Sequence, residues 1–315
     1  MGVTIPTVAL SSSGQSMPVV GMGTMSMTGP EVTRAAVVEA IRAGYRHFDT
    51  SYSYRSEQPL GEAIREALEL GLIESRGELF ITSKLACGFA DPPLVLDGIK
   101  ASLRNLELEY LDMYLIHIPL KLNPQVRQVP VAKEDISAID LKGVWEKMEE
   151  CQTLGLTKAI GVSNFSPKKL EELLSFAKIP PTLDQVEMSP LWHQSKLREF
   201  CKGKGIHVTA YSPLGAVGTM WGHSNIVESD VIAQIAKAKG KTTAQIALRW
   251  VYEQGVSIVA KSFDKERMRQ NIDIFDWSLS DEESAKIAQL PQQKAVVFAN
   301  VYGHHDVVLD LDAGL

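Results

Sequence analysis

Several common functional signatures are missing from this chain, and each absence removes a class of function. No Gly-x-Gly-x-x-Gly turn follows the first strand-like run, because Gly21-Met22-Gly23 continues into Thr24, Met25 and Ser26. The glycine-lined pyrophosphate turn of an open dinucleotide-binding sheet is therefore absent. No apolar run reaches the length of about 18 residues that a membrane span needs, so no membrane association is expected. The three cysteines, Cys87, Cys151 and Cys201, form no Cys-x-x-Cys pair and are odd in number. That excludes a disulfide scaffold and suits reduced thiols. Positive charge is not in excess either: 32 Lys and Arg stand against 38 Asp and Glu, for a net charge of -6 and a pI near 5.7. Such a balance argues against a nucleic-acid groove. Residues 1–20 are too polar for a signal-peptide core, and with the cysteine usage this sets the expectation of a cytoplasmic chain.

What the chain does have is a regular alternation of strand-like and helix-like text over 315 residues, 45% hydrophobic and 22% charged. Strand-like runs fall at 19–23, 45–49, 79–84, 111–117, 159–162, 183–187, 206–211 and 256–260. Amphipathic runs at 31–43, 59–70, 93–106, 140–154, 167–177, 194–203, 229–239 with 243–254, and 265–270 separate them. Alternating strands and helices without a composition break predict βα units closed into a (β/α)8 TIM barrel, a single domain over 1–315. Residues 7–10 and 18–20 flank Ser-Ser-Ser-Gly-Gln-Ser and read as a hairpin that caps the barrel floor. The segments 119–138 and 215–228 read as long loops, and 291–315 as an irregular tail. Both loops leave the C-terminal strand ends, and the tail is expected over the same face.

Four polar residues stand at or just past strand ends. Asp49 and Tyr54 lie in Arg46-His47-Phe48-Asp49-Thr50-Ser51-Tyr52-Ser53-Tyr54, Lys84 closes Leu79-Phe80-Ile81-Thr82-Ser83-Lys84, and His117 follows Met113-Tyr114-Leu115-Ile116. Each alone has an ordinary reading: Tyr as wall, Asp with Lys as a structural pair, His satisfying a backbone carbonyl. Barrel active sites sit at the C-terminal ends of the strands, and there all four can converge. A phenol with a pKa of about 10 is a weak acid at neutral pH. A neighbouring ammonium lowers it, so Lys84 is expected to bring Tyr54 toward the working range, with Asp49 holding Lys84 charged. His117 can donate to the same carbonyl oxygen.

These stretches, with Gly44-Tyr45 ahead of the first and Ala159-Ile160-Gly161-Val162-Ser163-Asn164-Phe165 further on, resemble NADPH-dependent aldo-keto reductases of plant type over nearly the whole length. The resemblance implies that Asp49, Tyr54, Lys84 and His117 form the catalytic tetrad, with Tyr52 as pocket wall. It implies NADPH bound without an open dinucleotide sheet. Ser163, Asn164 and Gln185 would hold its carboxamide, and Tyr211 would offer its ring to the nicotinamide. Thr24, Ser212 and Leu214 belong to the same implied cofactor set, and 215–221 to the loop over the pyrophosphate. Lys261, Ser262 and Arg267 would grip the 2′-phosphate, with Gln270 and Asn271 near the adenine. The residues themselves agree at the phosphate end, since this segment opens a helix, whose N-terminus attracts anions, and Arg267 can fork onto a phosphate. A solvated basic surface patch is the plain alternative.

Met25, Tyr52, Ala86, Ile118 and Trp221 are the expected substrate pocket. Related plant proteins often carry Trp where Ala86 and Ile118 stand, so a roomier pocket and a bulky ketone, such as an alkaloid ketone, are expected. Asn164-Phe165-Ser166 matches a glycosylation sequon by coincidence, and His304-His305-Asp306 lacks a third ligand at suitable spacing, so no metal is expected. A small-molecule carbonyl compound is the expected partner, and nothing in the pattern demands a second chain, so a monomer is expected. The competing function is an NADPH-binding sensor with little turnover.

Overall fold

The computed structural model describes residues 4–10, 14–25, 28–126, 131–217, 219 and 222–303. The strands are β1 Thr7–Leu10, β2 Gln15–Pro18, β3 Val20–Gly23, β4 His47–Asp49, β5 Phe80–Leu85, β6 Met113–Ile116, β7 Leu120–Leu122, β8 Ile136–Ala138, β9 Ile160–Ser163, β10 Leu183–Glu187, β11 His207–Tyr211 and β12 Ser257–Ala260. Eight of them close in the order β10-β11-β12-β3-β4-β5-β6-β9, every neighbouring pair parallel. The (β/α)8 barrel read from the alternation is the observed fold, and its strands coincide with the eight apolar runs to within a few residues at their ends.

Helices form where apolar residues recur with helical period and where a side chain can satisfy the first free amides. Ser166, Ser229 and Asp140 accept from the amide three residues on. Thr242 with Gln245, and Ser280 with Glu283, make reciprocal capping boxes. The Ser280 box opens the helix Asp281–Ala288, whose text drew no helical reading because its apolar stripe is thin. Segment 119–138 also differs from expectation: Leu120–Leu122 and Ile136–Ala138 pair as an antiparallel hairpin, too short for its alternation to register in the sequence.

Strand periodicity explains how the barrel is filled. Alternate residues of a strand face the same side. Along β5 the inward residues Phe80, Thr82 and Lys84 climb from floor to mouth, and along β10 Leu183, Gln185 and Glu187 do the same. At the floor, Phe80, Met113, Leu115, Ala159 and Leu183 form an apolar cluster with Leu10 and Met17 of the β1–β2 hairpin. The hairpin thus plugs the N-terminal end. The opposite mouth is where the polar residues of the strands emerge.

The outward residues meet the helices through an apolar shell. Polar groups interrupt it: Ser83 is satisfied by Glu57, whereas Asp184 is not. It is fully buried, neither carboxyl oxygen has a hydrogen-bond partner among the described residues, and Cys201 of the helix Ser195–Lys204 feels its charge. Burial pushes its carboxyl well above the usual range and outweighs the opposing influence of the nearby Phe165 amide. A carboxyl whose pKa is raised in the folded state adds its full stability below the unfolded pKa and loses it as pH rises through the folded one. Asp184→Asn is therefore expected to gain on wild type as pH rises from 5 to 8, by on the order of 1–3 kcal/mol. Urea unfolding at both pH values checks this; a constant difference between the two proteins would refute it.

Candidate active site

Asp49 ends β4, Lys84 is the penultimate residue of β5, and His117 follows β6. Register brings the three strands side by side, with Asp49 opposite Thr82 and Lys84 opposite Leu115. Lys84 Nζ donates to Asp49 Oδ1 at 2.6 Å and to the Thr50 carbonyl at 2.9 Å. The second carboxylate oxygen of Asp49 accepts from Gln185 Nε2 at 2.8 Å. Thr24 donates its hydroxyl to the Asp49 carbonyl at 3.0 Å and shares a hydrogen bond with Ser56, which in turn meets Thr50. An ion pair this buried endures only with such full satisfaction.

Tyr54 arrives from the short 3-10 turn Tyr52–Tyr54 just beyond β4. Its ring lies under the Lys84 ammonium, 5.0 Å from Nζ to the centroid. Its hydroxyl is 3.3 Å from His117 Nε2, and the two rings meet edge-on. The structure therefore brings all four sequence-predicted catalytic residues together at the barrel mouth.

The electrostatics correct one expectation. Burial pushes the Tyr54 phenol up, and it outweighs the downward pull of Lys84, part of which the Asp49 charge cancels. Lys84 itself ends above its usual value: burial opposes the ammonium most, but Asp49 and Tyr54 together more than compensate. Tyr54 is thus held protonated rather than poised to ionise. For His117, burial first and the Lys84 charge second pull the imidazole down to about 3, so it is neutral at physiological pH.

Asn164, in the left-handed region at φ 64°, joins the site to the next strands. Its amide donates to the His117 carbonyl at 2.9 Å and to Ser163 Oγ at 3.1 Å, and its oxygen accepts from the Tyr211 hydroxyl at 2.8 Å. Ser163 donates to the Gln185 carbonyl at 2.7 Å. Ser163, Asn164, Gln185 and Tyr211 are thereby one chain of contacts along β9, β10 and β11. Ser212 follows with φ 49°, and Leu214 leans on the core. Thr24 is wholly buried with its hydroxyl spent inside, which makes it a support of Asp49.

Beyond β12, Lys261 is exposed and lies over the Phe263 ring at 5.0 Å. Ser262 is buried and turns onto Asp264. Asp264 caps the helix Lys265–Ile272 by accepting from the Arg267 amide at 2.9 Å, so a carboxylate already satisfies part of that helix terminus, contrary to the open anion site expected there. The Arg267 side chain is 73% exposed, with only a loose 3.9 Å approach to Asp264. Gln270 spends its amide on Glu266 at 3.2 Å, and Asn271 is buried beside Tyr45.

Of the expected pocket residues, Ala86 and Ile118 are buried, Tyr52 is on the rim stacked edge-on against Phe89, and Met25 is 37% exposed. Trp221 and the His304-His305-Asp306 run lie outside the described residues. The tail lies over this face as expected, and the residues through which it docks are given by the structure alone. Phe298 and Ala299, beside and within the short helix Ala299–Tyr302, cluster with Cys87, Ile118 and Leu120. Tyr302 is near enough to Cys87 and Tyr54 to feel their charges. Glu187, the top residue of β10, clamps the tail by accepting from the Ala295 amide at 2.6 Å and the Val296 amide at 2.8 Å. A lone Glu ending a strand carries no sequence signal for that role. Cys87 is a buried thiol pushed up by burial to about 12, a wall residue.

Among the described residues no cluster of three or more His, Cys, Asp or Glu is placed to hold a metal ion, and no helix is long and apolar enough to cross a membrane.

Comparison with known proteins agrees with this geometry. The chain belongs to the Aldo/keto reductase family, whose profile matches residues 19–291, and is an oxidoreductase of that family. It is 61% identical over 316 residues to a D-galacturonate reductase from Fragaria ananassa, covering 99% of both chains. It is 55% identical to the NADPH-dependent codeinone reductase 1-4 of Papaver somniferum, covering 92% of this chain and 91% of that one. The crystal structure of an aldo-keto reductase from Bombyx mori in complex with NADP superposes with a TM-score of 0.86 at 34% identity, covering 95% and 97% of the two chains.

The low His117 value has a direct check. Ring resonances of His117, assigned by comparison with a His117→Gln variant, are expected to show a neutral imidazole from pH 8 down to pH 5. An inflection near 6.5 would show a solvated, uncoupled histidine instead.

Proposed function

We propose that this protein reduces a ketone or aldehyde to the alcohol with NADPH, Tyr54 giving the proton. The carrying observation is the Tyr54 hydroxyl, kept protonated by burial, in contact with a neutral His117 and beside a Lys84 already neutralised by Asp49. Bound NADPH supplies the hydride that becomes the new C–H bond. Tyr54 holds its proton until negative charge develops on the carbonyl oxygen, then gives it up. Lys84 lies beside the phenolate that remains and stabilises it, and the neutral imidazole hydrogen-bonds the same oxygen without competing for the proton.

The residues present suit that cofactor. Ser163, Asn164 and Gln185 are hydrogen-bonded within the fold but keep unused lone pairs for a carboxamide N–H, and Tyr211 offers an aromatic face. Lys261 and Arg267 are exposed cations, and among the described residues the nearest carboxylate to Arg267 is Asp264 at a loose 3.9 Å, which leaves both open to a 2′-phosphate. Ser262, Gln270 and Asn271 have their side chains engaged within the fold, so we assign the 2′-phosphate to the two cations.

For the substrate, small or aliphatic Ala86 and Ile118 and the apolar tail cluster support a ketone with a bulky apolar body, such as an alkaloid. The strawberry relative's name favours a second reading, a sugar acid.

One assay separates these. Wild type and Tyr54→Phe are mixed with NADPH and a panel of tropane and morphinan ketones, small aldehydes and D-galacturonate, following NADPH absorbance. Wild type is expected to turn over at least one, and Tyr54→Phe to lose about 10²–10⁴-fold in kcat. Tight NADPH binding without turnover on any carbonyl would favour a sensor, and an undiminished Tyr54→Phe would remove the phenol from its role. In the same assay, Lys261→Ala with Arg267→Ala is expected to raise the KM for NADPH by about tenfold or more while leaving NADH unchanged. Equal effects on both cofactors would refute the 2′-phosphate assignment.

A further inference from the structure

Ser51 is fully buried directly below the catalytic face. It enters the 3-10 turn Tyr52–Tyr54 with extended backbone, φ -162° and ψ 149°, as the residue that caps it. Its Oγ accepts from the Ser53 amide at 3.3 Å and lies 3.1 Å from Nδ1 of His117. Among the described residues this hydroxyl has no other hydrogen-bond partner. The amide of Ser53 can only donate, so it takes a lone pair of the Ser51 oxygen. The hydroxyl hydrogen is left for Nδ1.

A neutral imidazole carries one ring proton, and which nitrogen holds it follows from the hydrogen bond at the other. If Nδ1 accepts from Ser51, the proton is on Nε2, the nitrogen 3.3 Å from the Tyr54 hydroxyl. Nε2–H then donates to the phenolic oxygen, and the Tyr54 hydrogen remains available for a substrate oxygen. In the opposite tautomer Tyr54 spends its hydrogen on Nε2, and the Ser51 hydrogen is buried without an acceptor, at a cost of about 1–3 kcal/mol. The donors therefore run in one direction: Ser53 N–H to Ser51, Ser51 O–H to His117, His117 Nε2–H to Tyr54, and Tyr54 O–H outward.

We propose that Ser51 is a positioning residue that fixes His117 as the Nε2–H tautomer and so leaves the Tyr54 proton free for the substrate. The kinetic consequence rests on the carbonyl-reduction reading above. The tautomer itself does not, which keeps the two separable.

The test begins with wild-type protein. Long-range ¹H–¹⁵N correlation spectra, with His117 assigned by the His117→Gln variant, are expected to show Nε2 protonated and Nδ1 bare. Protonation at Nδ1 overturns the proposal whether or not any carbonyl is turned over. Ser51→Ala is then expected to give a mixture of tautomers and lower kcat about tenfold or more, with substrate KM and NADPH affinity nearly unchanged, because a misplaced imidazole proton impairs the chemical step rather than binding. Ser51→Thr, which keeps the hydroxyl, is expected to restore both the Nε2–H signature and most of kcat. A Ser51→Ala protein that folds with an unchanged tautomer and unchanged kcat overturns it. So does one whose KM rises with kcat unaltered. Loss of wild-type turnover on every carbonyl would instead defeat the reduction reading while the spectrum still decides the tautomer.

Discussion

Lys84 and Asp49 share a proton-tight contact of 2.6 Å inside the barrel mouth, their side chains only 1% and 4% exposed. Neither charge could be there alone. The pair is held from several sides: Gln185 on the far carboxylate oxygen, the Thr50 carbonyl on the ammonium, Thr24 on the Asp49 backbone. Breaking a buried pair of this kind by removing one partner typically costs about 3–5 kcal/mol. Stability and chemistry consequently depend on the same atoms. The pairing also decides how Tyr54 behaves. An ammonium already countered by a carboxylate projects a weakened field, so burial prevails and the phenol keeps its proton. For the proton-donating role proposed for Tyr54, that is the useful state.

The barrel makes this arrangement possible by assigning levels. With a side-chain period of two, each inward set starts at the hairpin-plugged floor and ends at the mouth. Leu183, Gln185 and Glu187 show the gradient within one strand: an apolar floor residue, a partner of the catalytic carboxylate, and a clamp on the tail. The tail and loops then close an apolar wall around the tetrad. Val131 and Val301 share a backbone hydrogen bond there, tying the loop that carries the β7–β8 hairpin to the short helix of the tail.

Much of this was legible from text. The eight strands were readable because buried parallel strands are continuous apolar runs, and Asp49, Lys84 and His117 because each interrupts such a run at its end. The choice of Tyr54 over Tyr52 came from the resemblance to the family. The β7–β8 hairpin and the helix Ala299–Tyr302 were not legible, since three- and four-residue elements are shorter than any periodicity that could announce them. The anion site at 261–267 was half readable: the cations are there, but Asp264, acidic and adjacent, occupies the helix terminus that the sequence alone offered to a ligand. Ser51 carried no signal in the sequence beyond its place between Asp49 and Tyr54. Its hydroxyl acquires meaning only when His117, 66 positions away, is brought against it.

By itself, then, the sequence determined the fold and the set of chemical groups, because both are written in local pattern: apolar period, caps, and polar residues at strand ends. Only the tertiary structure decided how those groups act on one another. The direction of the Tyr54 shift, the engagement of Gln185 with Asp49 and of Asn164 with the His117 carbonyl, and the polarity of the Ser51–His117–Tyr54 chain all depend on distances between residues far apart in sequence. Burial and charge act through space, and closure of the barrel sets those distances.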